Sequence, residues 1–266
     1  MSALVAACGR TPELANGLRI GVTLEPPNLD PTQGAAAAVD EIVYANVFEG
    51  LTRIGADGAV KAALASDWQI ANGGRSYRFQ LQPNVRFHDG APFDAAAVKF
   101  SLDRARAPDS LNAQRQAYEV IDAITIEDQT NVRFDLARAS SDFLFNLALG
   151  DAVIVSPTSA ASNATAPIGT GPFRFSRWAK GVFVDIERNA EYWGAAPALD
   201  RARFLFISEP SAAYAALLAG DIDGVPDFTA PELLGQIERD RRFRIAVGQS
   251  EGETILAINN GRAPFN

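Results

Sequence analysis

Apolar residues recur along the chain with two periods, and the alternation between them sketches an α/β protein. Leu18, Ile20, Val22 and Leu24 alternate with Arg19, Gly21 and Thr23, which predicts a strand with one buried face. A helix is expected over residues 39–48, where Val43 and Val47 fall four apart. Tyr77, Phe79 and Leu81 alternate with Arg78, Gln80 and Gln82, predicting a half-buried strand paired across Asn72-Gly73-Gly74 with the segment 68–70. Asp89-Gly90 reads as a turn and Pro92 blocks strand continuation. Asp94 then stands where it can cap a helix reaching Arg106, with Val98, Leu102 and Ala105 on one face. Strands are expected at 121–126 and 131–136, a helix at 141–149, and linker composition at 156–167, rich in Ser, Thr, Ala and Asn.

From Gly171 the pattern turns to strands around Phe173 and Phe175, then Val182, Val184 and Ile186, then Phe204 and Phe206. Pro210 can start a helix that Gly220 ends, residues 221–225 enter a further strand, and 231–239 reads as a helix. Strands are expected again at 243–247 and 254–258. Strand and helix alternation of this kind is the α/β signature.

Seven blocks of residues, in order over most of the chain, resemble the family 5 extracellular solute-binding proteins, the peptide- and nickel-type receptors of ABC importers. They begin with Phe48-Glu49-Gly50-Leu51-Thr52, Leu64-Ala65 with Trp68, and Phe87-His88-Asp89-Gly90 followed by Val98-Lys99-Phe100-Ser101. Pro167-Ile168-Gly169-Thr170-Gly171-Pro172-Phe173, Asn189 with Tyr192-Trp193-Gly194, Gly220-Asp221-Ile222-Asp223, and Asn259-Asn260 with Pro264-Phe265 continue the series. Ala63 stands where the family usually has Pro, and Asn72-Gly73-Gly74 replaces its usual Asp-Gly turn; both are changes in loops.

The resemblance implies a two-lobed α/β fold of the periplasmic-binding-protein type II kind, with mixed sheets and flanking helices. Residues 18–48 and 166–258 would build a discontinuous first lobe, 49–165 an inserted subdomain, and 259–266 the start of a crossover to a second lobe largely missing from this chain. It also implies a peptide or a small solute such as a nickel chelate as ligand, a membrane permease as partner, a monomer, and no cofactor. Residues expected on the near side of the cleft are Glu25, Pro27 and Asn28 in the proline-rich loop after the first strand, Asp151 at a helix end, where it could pair with a ligand amine, and Thr170 near the lobe junction. Without the resemblance, the proline-rich loop serves as well as a rigid connector, and Asp151 as a solvated helix end. A sensor that does not transport, or a degenerate half-receptor, is the alternative within the class.

Composition narrows the rivals. With 266 residues, 47% of them apolar, the chain can bury a sizeable core. A net charge of −8, without a dense Lys/Arg cluster, argues against a nucleic-acid partner. The single cysteine, Cys8, rules out an internal disulfide. Leu4-Val5-Ala6-Ala7-Cys8-Gly9 has the form of a lipoprotein cleavage site, so Cys8 is the expected lipidation position in a cell-envelope or periplasmic protein; an Ala-rich leader with an inert thiol is the other reading. Only seven residues precede Cys8, too few for a charged and apolar leader, so the signal reads as clipped.

The rival class is an esterase using Ser250, since Gly248-Gln249-Ser250-Glu251-Gly252 matches a nucleophile elbow. The elbow must open a helix, yet Thr254-Ile255-Leu256-Ala257-Ile258 favours a strand, and the lone histidine, His88, lies far upstream. His88 reads as a turn residue bonding nearby backbone, with no companion set for a metal site. Asp221, Asp223 and Asp227 miss the calcium-loop spacing, because Gly224 falls at the fourth position.

Overall fold

The computed structural model describes residues 16–247, so the readings at Cys8, Ser250, 254–258 and 259–266 lie outside the described residues. In chain order the elements are β1 Gly17–Val22, α1 Ala37–Val43, β2 Thr52–Ile54, β3 Val60–Ala62, β4 Ala65–Ala71, β5 Ser76–Leu81, α2 Ala95–Arg106, α3 Arg115–Tyr118, β6 Ile121–Ile126, β7 Asn131–Leu136, α4 Phe143–Asn146, β8 Phe173–Ala179, β9 Phe183–Arg188, β10 Arg201–Phe206, α5 Pro210–Ala219 and α6 Pro231–Ile237.

Two four-stranded sheets organise the residues up to Asp227. One has the order β1-β10-β9-β8, parallel between β1 and β10 and antiparallel elsewhere; the other, β4-β5-β7-β6, is antiparallel throughout. Each carries its own hydrophobic cluster. Val22, Val184, Ile186 and Phe204 of the first sheet close on Ile42 and Val43 of α1, and Phe79, Val132 and Phe134 of the second close on Val98 and Leu102 of α2. The period-2 pattern decides which face is buried: in β7, Val132, Phe134 and Leu136 are buried while the residues between them are partly exposed. Asp94 caps α2 by accepting from the Ala97 N–H at 3.0 Å. The α6 helix belongs to a second unit that begins at Phe228.

Five local expectations need correction. The helix expected over 39–48 is α1, which stops at Val43, because Tyr44 turns extended and Ala45 takes a left-handed φ of 58°. The helix expected at 141–149 shrinks to the single turn α4 and a 3₁₀ turn over Gly150–Ala152. Residues 221–225 contribute one bridge, Gly224 to Ile20, and residues 243–247 form no strand. The linker-like segment 156–167 is tied down at its start: Asp89 Oδ2 accepts from the hydroxyls of Ser156, Thr158 and Ser159 at 2.8, 2.8 and 3.0 Å.

Candidate functional site

The proline-rich loop leaves β1 and is pinned at both ends. Glu25 accepts from the Trp178 indole N–H at 3.0 Å and from the Gly181 N–H at 2.9 Å, tying the end of β1 to the β8–β9 turn. Pro27 is exposed, and Asn28 spends its Oδ1 on the Asp30 N–H at 2.8 Å, an Asx turn. Asp30 then drops to zero exposure. A buried carboxylate must be paired, and this one is saturated. It accepts from the Thr32 N–H at 3.0 Å, the Thr32 hydroxyl at 2.6 Å, Gln33 Nε2 at 2.9 Å and Arg104 Nη2 at 2.9 Å. Arg104 stands on α2 and also bonds the Thr32 hydroxyl, so the loop that follows the first sheet is locked to the helix of the second.

Past this lock, the chain curves through Gly34 to Ala37 and walls a pocket of about 200 Å³ whose floor includes Asp40, Gln114 and Asp151. Gly34 bridges Asn112, whose side chain donates to the Asp151 carbonyl at 2.7 Å. Asp40 is the unusual member. Its Oδ1 is buried without a hydrogen-bond partner among the described residues. Burial, and then the neighbouring charge of Asp151, raise its pKa to about 6. Burial also pushes Asp151 above the usual carboxylate range. Gly150 makes the approach possible, since a Cβ there would stand 2.3 Å from Asp40 Oδ1.

Thr170 lies elsewhere, fully buried, with its hydroxyl donating to Glu49 Oε2 at 2.9 Å. Glu49 also accepts from the Tyr192 hydroxyl at 2.8 Å and the Trp193 indole at 2.9 Å, joining three motifs that are far apart in sequence. Burial raises its pKa, and these three donors draw it partly back. Of the five residues singled out in the sequence, Asp151 lines the acidic pocket, Glu25, Pro27 and Asn28 form the loop leading to it, and Thr170 reaches only Glu49. Asp30, Asp40, Glu49 and Arg104 were not singled out as site residues. A carboxylate embedded in the apolar run Phe48-Glu49-Gly50-Leu51 was the available signal, because such a group needs buried donors.

His88 bonds backbone, but across the fold. Its N–H donates to the Gly169 carbonyl at 2.8 Å, its Nδ1 accepts from the Gly169 N–H at 3.4 Å, and its Nε2 meets the Gly171 carbonyl at 2.9 Å. That pattern assigns the ring proton to Nε2. Burial pulls its pKa down to about 4. The folded pKa lies below the usual 6.5, so the unfolded chain takes up the proton first as pH falls. The stability His88 contributes is therefore complete above pH 6.5 and lost progressively toward pH 4, about 3 kcal/mol at 1.36 kcal/mol per unit. Asp40, with its raised pKa, works in the opposite sense over much of that window. Comparing urea unfolding of the parent and His88→Gln between pH 4 and 7 isolates the histidine: the variant is expected to lose that share of the slope.

Comparison with known proteins agrees with this architecture. The family model described as bacterial extracellular solute-binding proteins, family 5 Middle, matches residues 59–266. The glutathione-binding protein GsiB of Pectobacterium atrosepticum is 30% identical over 247 residues, covering 90% of this chain and 47% of that protein. Among solved structures, AgaA from A. tumefaciens R10 in complex with agropinic acid superposes with a TM-score of 0.79 at 27% identity, over 85% of this chain and 46% of that one. NikZ from Campylobacter jejuni in complex with Ni(L-His) gives 0.76 at 28% identity, over 85% and 46%. The fold is that of the periplasmic binding proteins, and the chain spans about half the length of the curated relatives it matches.

Proposed function

This chain belongs to the bacterial extracellular solute-binding proteins of family 5, and from that premise we propose that it is the substrate-binding component of an ABC importer. It captures an oligopeptide or a related small solute such as a nickel chelate and delivers it to the membrane permease. No bond is made or broken; the work is hinge closure, in which the solute favours the closed state by its extra contacts there. Residues 18–48 and the stretch from 166 onward form the first lobe in this reading, and 49–165 the inserted subdomain. The protein works in the cell envelope, with Cys8 as its lipid anchor.

The observation that carries this reading is the pocket between Gly34 and Asp151, with a buried and unpartnered Asp40 Oδ1. A solute ammonium placed there gains a charge-assisted bond from a carboxylate that is already desolvated. Glu25, Pro27 and Asn28 hold the loop that leads to it, while Thr170 stands apart from this pocket, bonded to Glu49. Ammonium binding favours ionised Asp40, so affinity is expected to weaken as pH falls below about 6.

A thermal-shift panel of short peptides and nickel–amino acid chelates tests this. Solutes with a free ammonium should raise the melting temperature, and Asp151→Asn should weaken the best of them about tenfold or more. N-acetylated peptides binding as well as free ones, or a silent panel, would sink the reading.

A further inference from the structure

A second pocket, of about 410 Å³, lies beside the β2–β3 hairpin and is walled by Tyr44, Glu49, Arg53, Gln82, Tyr192 and Trp193. Its volume falls within the roughly 300 to 1,000 Å³ usual for small-molecule sites. The chemistry of its walls follows from where their polar atoms are already spent. Both oxygens of Glu49 are taken by three donors, so that carboxylate offers little to a ligand. The Tyr192 hydroxyl and the Trp193 N–H are turned to Glu49, and the Tyr44 hydroxyl to the Ala148 carbonyl. What these side chains leave for the pocket is ring surface, with the Tyr192 and Trp193 centroids 5.5 Å apart and tilted by 56°.

Arg53 is the remaining charge. Its Nε donates to the Ala62 carbonyl at 3.3 Å, and it forms no ion pair among the described residues, so its terminal nitrogens stay available. Burial raises the pKa values of Glu49, Tyr44 and Tyr192, and the Arg53 guanidinium lies close enough to offset part of each rise. A guanidinium presents a flat fork that suits a carboxylate, and aromatic walls suit a ring.

We propose that this pocket binds a small aromatic carboxylate, its anionic group on Arg53 and its ring against Tyr192 and Trp193, at a site separate from the solute pocket of Asp40 and Asp151. The two pockets have opposite requirements. Among the described residues, one presents a carboxylate oxygen without a hydrogen-bond partner and wants a cation; the other presents a guanidinium without an ion pair and wants an anion. The proposal does not depend on the importer reading.

Calorimetric titration of the 266-residue chain with benzoate tests it, with benzamide as the uncharged control. Saturable benzoate binding is expected, with benzamide at least about tenfold weaker, and Arg53→Gln weakening benzoate by about tenfold or more. Arg53 is exposed, so this variant should keep the parent's melting temperature, which is measured alongside. Asp151→Asn should leave benzoate binding unchanged. The proposal is overturned by absent saturation, by equal affinity of the parent and Arg53→Gln, or by a loss on Asp151→Asn that matches the loss on Arg53→Gln.

Discussion

Replacing Arg104 with Ala is expected to cost about 3 to 5 kcal/mol of folding stability, the range for removing one partner of a buried ion pair. Asp30 has no exposure, and Arg104 is the cation among its four donors. Without it, the carboxylate keeps the Thr32 and Gln33 bonds but not the charge that justified its burial. The chain must then either keep a stranded buried charge or pull the loop away from α2 to let water in. A second change separates this cause from lost packing: Asp30→Asn in the Arg104→Ala background removes the stranded charge and is expected to recover more than half of the loss. Urea unfolding of the parent and the two variants gives the numbers. A cost below about 1 kcal/mol for Arg104→Ala would mean that the loop is not locked electrostatically.

Gly169→Ala is expected to be comparably severe, about 4 kcal/mol, for a steric reason. A Cβ at Gly169 would stand 1.9 Å from the Val47 carbonyl oxygen and 2.7 Å from its carbon, both backbone atoms that cannot rotate away. Making room means separating the 169–171 turn from the 46–47 segment. That strains the Gly171 N–H to Val47 O and Phe173 N–H to Asn46 O bonds, both 2.9 Å, and the His88 contacts beside them. Overpacking costs about 1 to 3 kcal/mol and each strained hydrogen bond about one more. Gly90→Ala is the internal control. Gly90 has a left-handed φ of 84° but open space around its would-be Cβ, so only the backbone penalty of about 1 to 2 kcal/mol applies. Thermal unfolding should rank the two clearly, with Gly169→Ala the lower-melting.

The contrast between these glycines shows what the sequence could and could not disclose. Gly90 announced itself through its neighbour Asp89, because turn chemistry is local. Gly169 and Gly171 read only as a turn; that they let two backbones meet depends on Val47, more than a hundred residues away. The same division runs through the elements. Tyr77, Phe79 and Leu81, and Val132, Phe134 and Leu136, alternate cleanly, and their strands form where the alternation lies. The cap of Asp94 and the left-handed Gly220 that ends α5 were equally legible, each depending on a few adjacent residues. The end of α1 was not, because nothing in the composition of Tyr44-Ala45-Asn46 forbids another turn; Ala45 accepts a left-handed φ as the 46–48 backbone packs against the 169–173 loop. The β2–β3 hairpin escaped notice because its strands are three residues long and half of their residues are exposed.

The site divides in the same way. Asp151 was expected near the cleft only through the family resemblance, and it lines the pocket. Its partner in the pocket, Asp40, sits on a helix whose sequence says nothing about burial, and it becomes chemically distinctive only when Gly150 brings the two carboxylates together. Glu49 and Arg104 gain their meaning from residues more than seventy positions away.

The surface between Gly34 and Asp151 is proposed to grip a diffusible solute through its cationic group. Amide chemical-shift mapping of the 266-residue chain with the strongest solute from the peptide and chelate panel examines it most directly. Perturbations concentrated at residues 33–41, 112–114 and 150–152, and abolished by Asp151→Asn, are the predicted result. Saturating perturbations centred on any other surface, with these amides unmoved, would contradict it.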